Sequence, residues 1–512
     1  MQAVTDNNGD TGARGESMQM FTDQEAGPLT MSKVSIKKNF ILNLLLRVTR
    51  VTIPLITFPY VSRILQPEGL GRVTFAESFI AYLILIAQLG VPTYGIRACA
   101  RVRDDREKLS RTVHELVAIN LLMSLLAYAI LIICMMKVPR IGNDREIFVI
   151  FSINIVMGAV GMDWMYEGLE QYSYITVRTL TLRLVSVILI FLLIHRPEQA
   201  PLYAGIVVFS VSGPQLVNLI HARKYIALRP VGRYHLSPHM KAALIFFLMA
   251  GITAVYTSLD KVMLGFIAGD APVGYYSVAV KVKNVLFLCI SALAAVLLPR
   301  SSYYVGTGRM EAQRKLSNKA LNYVFIVSLS LALFFFLYTE ESVLFLSGKN
   351  YVPAVLPMKI IMPGVGLIGL TNVFTTQVLI PIGKEKQVLS ANVAGAVIDV
   401  LLNLMLIPKY GAVGAAVGTL AAEIGVFCTL LYYGRRHVDL HSVEYRKIIP
   451  ALLLAGLAGW VFRIMEMNAF LKLLLASVVF FGVYGTVLIV TKEKLTMEVA
   501  GLLKIRFRNR AS

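Results

Sequence analysis

The chain has 512 residues, 56% of them hydrophobic and only 16% charged, yet 50 lysines and arginines against 30 acidic residues give a formal net charge of +20. A soluble surface needs about 25–35% charged residues, so this composition and a mean hydropathy of +0.67 exclude a soluble multi-domain protein. The bases fall in bursts between apolar stretches of spanning length, which is the pattern of a polytopic membrane protein and not of a nucleic-acid binder.

Residues 1–32 come first and differ from the rest. Asp6, Asp10, Glu16, Asp23 and Glu25 stand there against one Arg14. No basic segment leads into a short apolar run, so this is not a signal peptide. The segment reads as a disordered acidic extension. Met31 offers a more natural start, and the extension is expected to be dispensable.

Fourteen apolar spans follow, near 40–62, 73–95, 112–136, 147–166, 174–194, 202–220, 241–267, 276–298, 319–339, 355–381, 388–407, 411–433, 447–465 and 470–490. Each is long enough to cross a hydrocarbon core of about 30 Å as a helix. Continuous apolar runs are not the alternating strands of a membrane barrel. Basic residues crowd alternate connections: 97–111, 221–233, 309–319, 384–386, 435–447 and 492–510. These ends are expected in the cytoplasm, together with both termini. No connection on the other side is long enough for a catalytic domain.

Span 1 carries Asn43, Arg47, Arg50, Pro54 and Thr57 at steps of four and three, which is one helical stripe. Arg50 falls near the middle of the span. A charge there costs about 2.5–3.5 kcal/mol and usually faces a water-filled cavity, so Asn43, Arg47 and Arg50 are substrate-site candidates. Glu77 in span 2 and Arg183 in span 5 are further ionisable residues within spans, and Arg183 is a further substrate-site candidate. An Arg183–Asp399 ion pair across the two halves is an expectation.

Span 7 places Thr253, Tyr256, Thr257 and Asp260 on one face, and span 8 carries Lys281 and Lys283. The two lysines point about 200° apart on a helix and cannot share a cavity. Lys281 shares its face with Asn284, so these two are the substrate-site candidates of span 8. Span 11 aligns Asn392, Gly395, Asp399 and Asn403. Asp260, Asp399 and Glu77 are the candidates for ion coupling or gating. Gly411, Gly414 and Gly418 in span 12 suit close helix contact. Pro363, Gly364, Gly366 and Gly369 suggest a bend in span 10.

Gly71-Arg-Val-Thr-Phe-Ala76 opens span 2 and Gly274-Tyr-Tyr-Ser-Val-Ala279 opens span 8, each after a turn containing proline. An offset of six spans preserves orientation, so this is a parallel repeat. The division that follows is 33–222 as an N-lobe, 223–240 as a cytoplasmic linker, 241–434 as a C-lobe, 435–490 as an appended helix pair and 491–512 as a basic tail.

The chain has no Walker A motif and no hydrolase motif. Its four cysteines show no paired spacing. His235/His239 and His437/His441 have the spacing of helical metal ligands, but no cysteine or carboxylate partner recurs beside the two pairs, so no metal site is expected.

Five motifs in order carry a family resemblance: Phe58-Pro-Tyr-Val-Ser-Arg-Ile-Leu-Gln-Pro-Glu-Gly-Leu-Gly71; Gly90-Val-Pro-Thr-Tyr-Gly-Ile-Arg97 with the charged run Arg103 to Ser110; Asp163-Trp-Met-Tyr-Glu-Gly168; Ser258-Leu-Asp-Lys-Val-Met-Leu-Gly265; and the segment Asn403 to Gly418. Together they resemble the polysaccharide-transporter, or O-antigen flippase, family over roughly 33–490. The resemblance implies an all-α fold of two six-helix lobes plus two C-terminal helices. It implies a bacterial inner-membrane flippase for an oligosaccharide linked by pyrophosphate to undecaprenol, with alternating access and H+ or Na+ coupling. It implies no other cofactor. Membrane lipid and other polysaccharide-assembly membrane proteins are the implied partners, and nucleic acid is not one. A drug/cation antiporter of the same superfamily is the alternative within transport; it would favour a carboxylate-rich cavity. A membrane polysaccharide polymerase or ligase is the alternative outside transport; it would need a long outer loop.

Overall fold

The computed structural model describes residues 36–439 and 443–498. Within them, the side chains at 36–41, 43, 44, 47, 48, 50, 51, 256, 257 and 292–296 are not described. The acidic extension, most of the basic tail, His441 and the side chains of Asn43, Arg47, Arg50, Tyr256 and Thr257 therefore lie outside the described residues.

The first helix, α1 (Ile36–Gln88), contains the expected spans 1 and 2. Its helical geometry breaks at Gln66, with φ 60° and ψ 172°. Pro67 is the cause, because a proline drives the residue before it out of the helical region. The sequence reading ran span 2 on to residue 95. The chain instead turns at Leu89 and Gly90, both left-handed, and a short amphipathic helix α2 (Val91–Arg101) follows. Gly90 is required there: a Cβ would strike the backbone of Ala243 and Phe246–Phe247.

Next come α3 (Arg106–Lys137), α4 (Pro139–Gly142), α5 (Arg145–Val160), α6 (Asp163–Gly168), α7 (Tyr172–Leu193) and α8 (Ala200–His221). Asp105 caps α3 by accepting the backbone N–H groups of Lys108 and Glu107, which holds its carboxyl below the usual carboxylate range. The second lobe holds α9 (Leu236–Ile267), α10 (Asp270–Gly306), α11 (Met310–Leu337), α12 (Thr339–Ser347), α13 (Val355–Val373), α14 (Glu385–Tyr410) and α15 (Ala412–Gly434). The bend expected in span 10 falls past its glycines: α13 passes into a π-helical turn over Phe374–Leu379. Helices α16 (Tyr445–Ile464) and α17 (Ala469–Val490) pack on each other and complete the chain.

Among the described residues, 13 helical segments are long and apolar enough to cross a membrane. One of them, Thr52–Arg101, bends at Gln66 and contains parts of two expected spans, so the architecture accords with fourteen. Leu122, Leu125, Ile132, Ile133 and Met136 on α3, and Leu453, Leu457, Val461 and Ile464 on α16, are exposed. Apolar faces of this extent suit contact with lipid.

The lobes meet through α1 and α10. A Cβ on Gly71 would overlap the Asp270 carbonyl, and a Cβ on Gly274 would overlap the Pro67 carbonyl. These two contacts are one contact with the lobes exchanged, since Gly274 and Asp270 are the repeat equivalents of Gly71 and Pro67. The internal repeat thus becomes a crossing with pseudo-two-fold symmetry, located at the end of the molecule away from the basic connections. Close by, Ser62 donates to the Leu346 carbonyl at 3.1 Å and Arg63 to the Phe345 carbonyl at 2.6 Å. Tyr351 donates back to the Ser62 carbonyl at 3.1 Å. Arg140 donates to the Gly265 carbonyl at 3.0 Å, pairs with Asp270 and holds Asp144 at 2.9 Å. Arg72 also pairs with Asp144, at 2.6 Å. The lobes are closed together at this end.

At the basic end α9 is tied to the first lobe. Glu115 accepts from His239 at 2.8 Å and from the His235 backbone at 2.7 Å, and Tyr94 bonds His239 at 2.8 Å. The sequence showed no carboxylate near His235 and His239. The fold supplies one from α3, in an ion-pair geometry across the lobes.

Candidate functional site

Between the lobes lies a cavity of about 450 Å³. Helix α1 contributes Pro54, Thr57 and Glu77, α7 contributes Arg183, α9 contributes Lys261, and α10 contributes Lys281 and Asn284. Its charged groups among the described residues are three cations and one carboxylate. The Lys281 ammonium sits 5.2 Å from the centre of the Phe58 ring, a distance at which the ring face attracts a cation. Arg183, Lys281 and Asn284, three of the expected substrate-site residues, line this one cavity. Pro54 and Thr57, the outer members of the span 1 stripe, line it too. Lys261 follows Asp260 in the chain; a helix turns such neighbours about 100° apart, and Lys261 faces the cavity while Asp260 is buried.

Asp260 and Asp399 meet in a second place, inside the second lobe. Asp260 is 5% exposed and Asp399 1%. Asp260 accepts hydrogen bonds from Tyr276, from Asn403 at 3.0 Å and from Thr419 at 3.1 Å. The Asp399 carboxyl lies against Asp260 and Asn403 with no cation at hydrogen-bonding distance among the described residues, and the amide oxygen of Asn403 accepts no hydrogen bond there. The expected Arg183–Asp399 pair is therefore not made: Arg183 lines the inter-lobe cavity and Asp399 turns inward beside Asp260. Gly418 leaves the room this needs, since a Cβ there would strike the Asn403 amide oxygen. Glu77 lies apart from the pair, on the inter-lobe cavity. The two buried carboxyls and the Asn403 amide oxygen form an oxygen-rich cluster, which suits a proton or a small hard cation.

The first lobe contains a further buried polar cluster. Arg178, 4% exposed at its side chain, pairs with Asp163 at 2.6 Å. Gln215 and Asn218 also donate to Asp163, at 2.8 and 2.7 Å. Arg178 donates its other bond to the Pro214 carbonyl at 2.9 Å. The cluster ties α6, α7 and α8 together. The Asp163 to Gly168 motif thus has a structural role.

Two helical lobes about a charged inter-lobe cavity form the architecture of the site. Residues 36–305 match the polysaccharide biosynthesis protein family, and the chain belongs to that family. A Shigella dysenteriae protein described as a candidate O-antigen transporter is 27% identical over 401 residues, covering 77% of this chain and 99% of its own. Among solved structures, the lipid II flippase MurJ in an inward closed conformation superposes with a TM-score of 0.71 at 12% identity, over 90% of this chain and 99% of that one. An inward-facing multidrug resistance MATE transporter of the MOP superfamily gives 0.59 at 15% identity, over 77% and 97%. The fold is that of the MOP superfamily. The protein is a multi-pass membrane protein of the polysaccharide biosynthesis family with the fold of these transporters.

Proposed function

We propose that the protein moves an oligosaccharide, linked by pyrophosphate to undecaprenol, from the cytoplasmic to the periplasmic leaflet of a bacterial inner membrane by alternating access. The observation that carries this reading is the charge of the inter-lobe cavity: Arg183, Lys261 and Lys281 against Glu77 alone. A pyrophosphate diester carries about two negative charges, and cationic nitrogen donors replace its hydration with charge-assisted hydrogen bonds. A drug/cation antiporter would call for the opposite excess. Asn43, Arg47 and Arg50 belong to the same proposal through their spacing from Pro54 and Thr57. In this reading the basic end and both termini are cytoplasmic, as the distribution of lysine and arginine favours. The polyprenyl tail stays in lipid while the headgroup crosses between the lobes.

The Asp260–Asp399 site is proposed to bind the coupling cation, H+ or Na+. Lys281→Met and Arg183→Met test the substrate reading. Expressed in a strain lacking its own flippase, each should reduce surface-polysaccharide export at least about tenfold per molecule of membrane-inserted protein, the loss of about 1.4 kcal/mol or more of headgroup binding. Unchanged export from both would remove the cavity from the mechanism.

A further inference from the structure

An apolar groove of about 460 Å³ lies between α9 and α14 on the second lobe. Leu248, Ile252 and Val255 of α9 line one wall, and Val393, Val397 and Val400 of α14 line the other; all of its lining residues are apolar. The groove faces outward, since Leu248 is 58% exposed and Val397 52%. On its other side α9 is held to the first lobe. Its backbone at Ala243 and Phe246–Phe247 lies against Gly90, and its His239 is bonded to Glu115. The groove is left open to lipid.

Both walls lead down to a lysine at the same spacing. Lys241 precedes Leu248, Ile252 and Val255 by 7, 11 and 14 residues, and Lys386 precedes Val393, Val397 and Val400 by 7, 11 and 14. These steps are close to two, three and four helical turns, so each lysine stands on the groove side of its helix. Both are exposed. Glu385, the acid beside Lys386, is turned about 100° away from it. Both lysines lie at the basic end of the protein. A rise of 1.5 Å per residue puts them about 10 Å below the near end of the groove and about 20 Å from its far end. Half of a hydrocarbon core is about 15 Å. The groove thus spans the chain region of one leaflet, and the lysines stand at the level of its headgroups. Membrane orientation asks only for basic residues in a connection; it does not ask for two of them in register with one groove.

We propose that this groove binds an anionic glycerophospholipid from the leaflet at the basic end, with an acyl chain between α9 and α14 and the phosphate between Lys241 and Lys386. The apolar walls accept the chain of any lipid. The two ammonium groups supply the headgroup preference, because basic residues at a membrane surface attract anionic lipid. The groove shares no lining residue with the inter-lobe cavity, so its occupant is a bound lipid and not the transported one. The proposal goes beyond the substrate reading and does not depend on it.

The test is fluorescence quenching by brominated phospholipids in vesicles containing the purified full-length protein. Val397→Trp places a reporter on one wall and Leu248→Trp on the other, so a variant that fails to fold leaves its counterpart. Both are made with Trp460→Phe, because Trp460 is exposed on α16, whereas Trp164 is buried. Leu457→Trp, in the same background, reports on lipid away from the groove; Leu457 is exposed and stands as far from the start of α16 as Val397 does from the start of α14. Brominated phosphatidylglycerol and brominated phosphatidylcholine are compared at each reporter. Phosphatidylglycerol should be favoured at least about fivefold at both groove reporters relative to Leu457→Trp. Lys241→Gln and Lys386→Gln should each reduce this preference, and together return it to the Leu457→Trp value. Lys315→Gln, which removes an exposed lysine of α11, should leave it unchanged. Equal binding of the two lipids in the groove overturns the proposal, as does a preference that survives the double substitution. A polyprenyl phosphate that displaces brominated phosphatidylglycerol at a lower concentration than unbrominated phosphatidylglycerol does also overturns it, by giving the groove to the chain of the substrate.

Discussion

Replacing Gly71 by alanine should open the end of the protein away from the basic connections. Gly71 lies inside α1, where alanine is intrinsically more stable than glycine by roughly 0.5–1 kcal/mol. That preference acts whether the lobes are together or apart, so it cancels from the conformational balance. What remains is the clash of the new Cβ with the Asp270 carbonyl, a backbone atom that cannot swing aside. Overpacking of this kind costs about 1–3 kcal/mol, and here it falls only on the closed state. The closed-to-open ratio should therefore drop by about 5- to 150-fold. The pseudo-symmetry sharpens the expectation, because Gly274→Ala presses on the Pro67 carbonyl in the same way and should have a similar effect. Gly205→Ala on α8 is the control: a Cβ there meets nothing within 4 Å. The assay is maleimide labelling at Ser62→Cys, in a background with Cys99, Cys134, Cys289 and Cys428 replaced by serine. Ser62 is fully buried in the closed interface. Labelling should be slow in the parent and in Gly205→Ala, and fast in Gly71→Ala and Gly274→Ala. Equal labelling in all four would refute the view that this crossing closes the cavity.

Three further outcomes are expected. Reporter fusions in 97–111 and 300–318 should read cytoplasmic, and those in 137–146 and 340–354 periplasmic; reversal at any two sites would overturn the topology. Arg178→Ala should destabilise the protein by about 2–3 kcal/mol, because it removes a charged hydrogen-bonding partner of Asp163 while Gln215 and Asn218 remain; thermal unfolding of the purified variant measures this, and a loss under 0.5 kcal/mol would contradict the structural role of the cluster. Arg50→Ala should insert normally but fail to export polysaccharide, with Arg50→Lys recovering part of the activity, since lysine lacks the bidentate fork; near-normal export per molecule from the alanine variant would remove Arg50 from the substrate path.

The sequence exposed what depends on periodicity and charge. Apolar runs located the spans, and the 200° separation of Lys281 and Lys283 matches their placement, with Lys281 on the inter-lobe cavity and Lys283 not among its lining residues. The short repeat around Gly71 and Gly274 marked the segments that cross. What stayed hidden depends on contacts distant in the chain. Nothing near His239 announces Glu115, 124 residues away. The Asp260 site draws on α9, α10, α14 and α15, so its stripes were visible singly but their meeting was not. Arg183 and Asp399 looked complementary because both stood inside spans in different halves; the rotation of α14 settles that Asp399 faces Asp260. The turn at Leu89–Gly90 was missed because the apolar pattern runs through it, although a glycine followed two residues later by Pro92 was the available signal.

The most direct test of the central claim is headgroup selectivity in reconstituted vesicles. The purified protein would be given polyprenyl-linked oligosaccharides joined by pyrophosphate, and matched neutral glycolipids without phosphate, with translocation followed by enzymatic access to the sugar. The pyrophosphate-linked lipid should cross, the neutral one should not, and Lys281→Met should slow the former at least about tenfold. Equal movement of both lipids, or transport of a cationic drug with no movement of either lipid, would contradict the account.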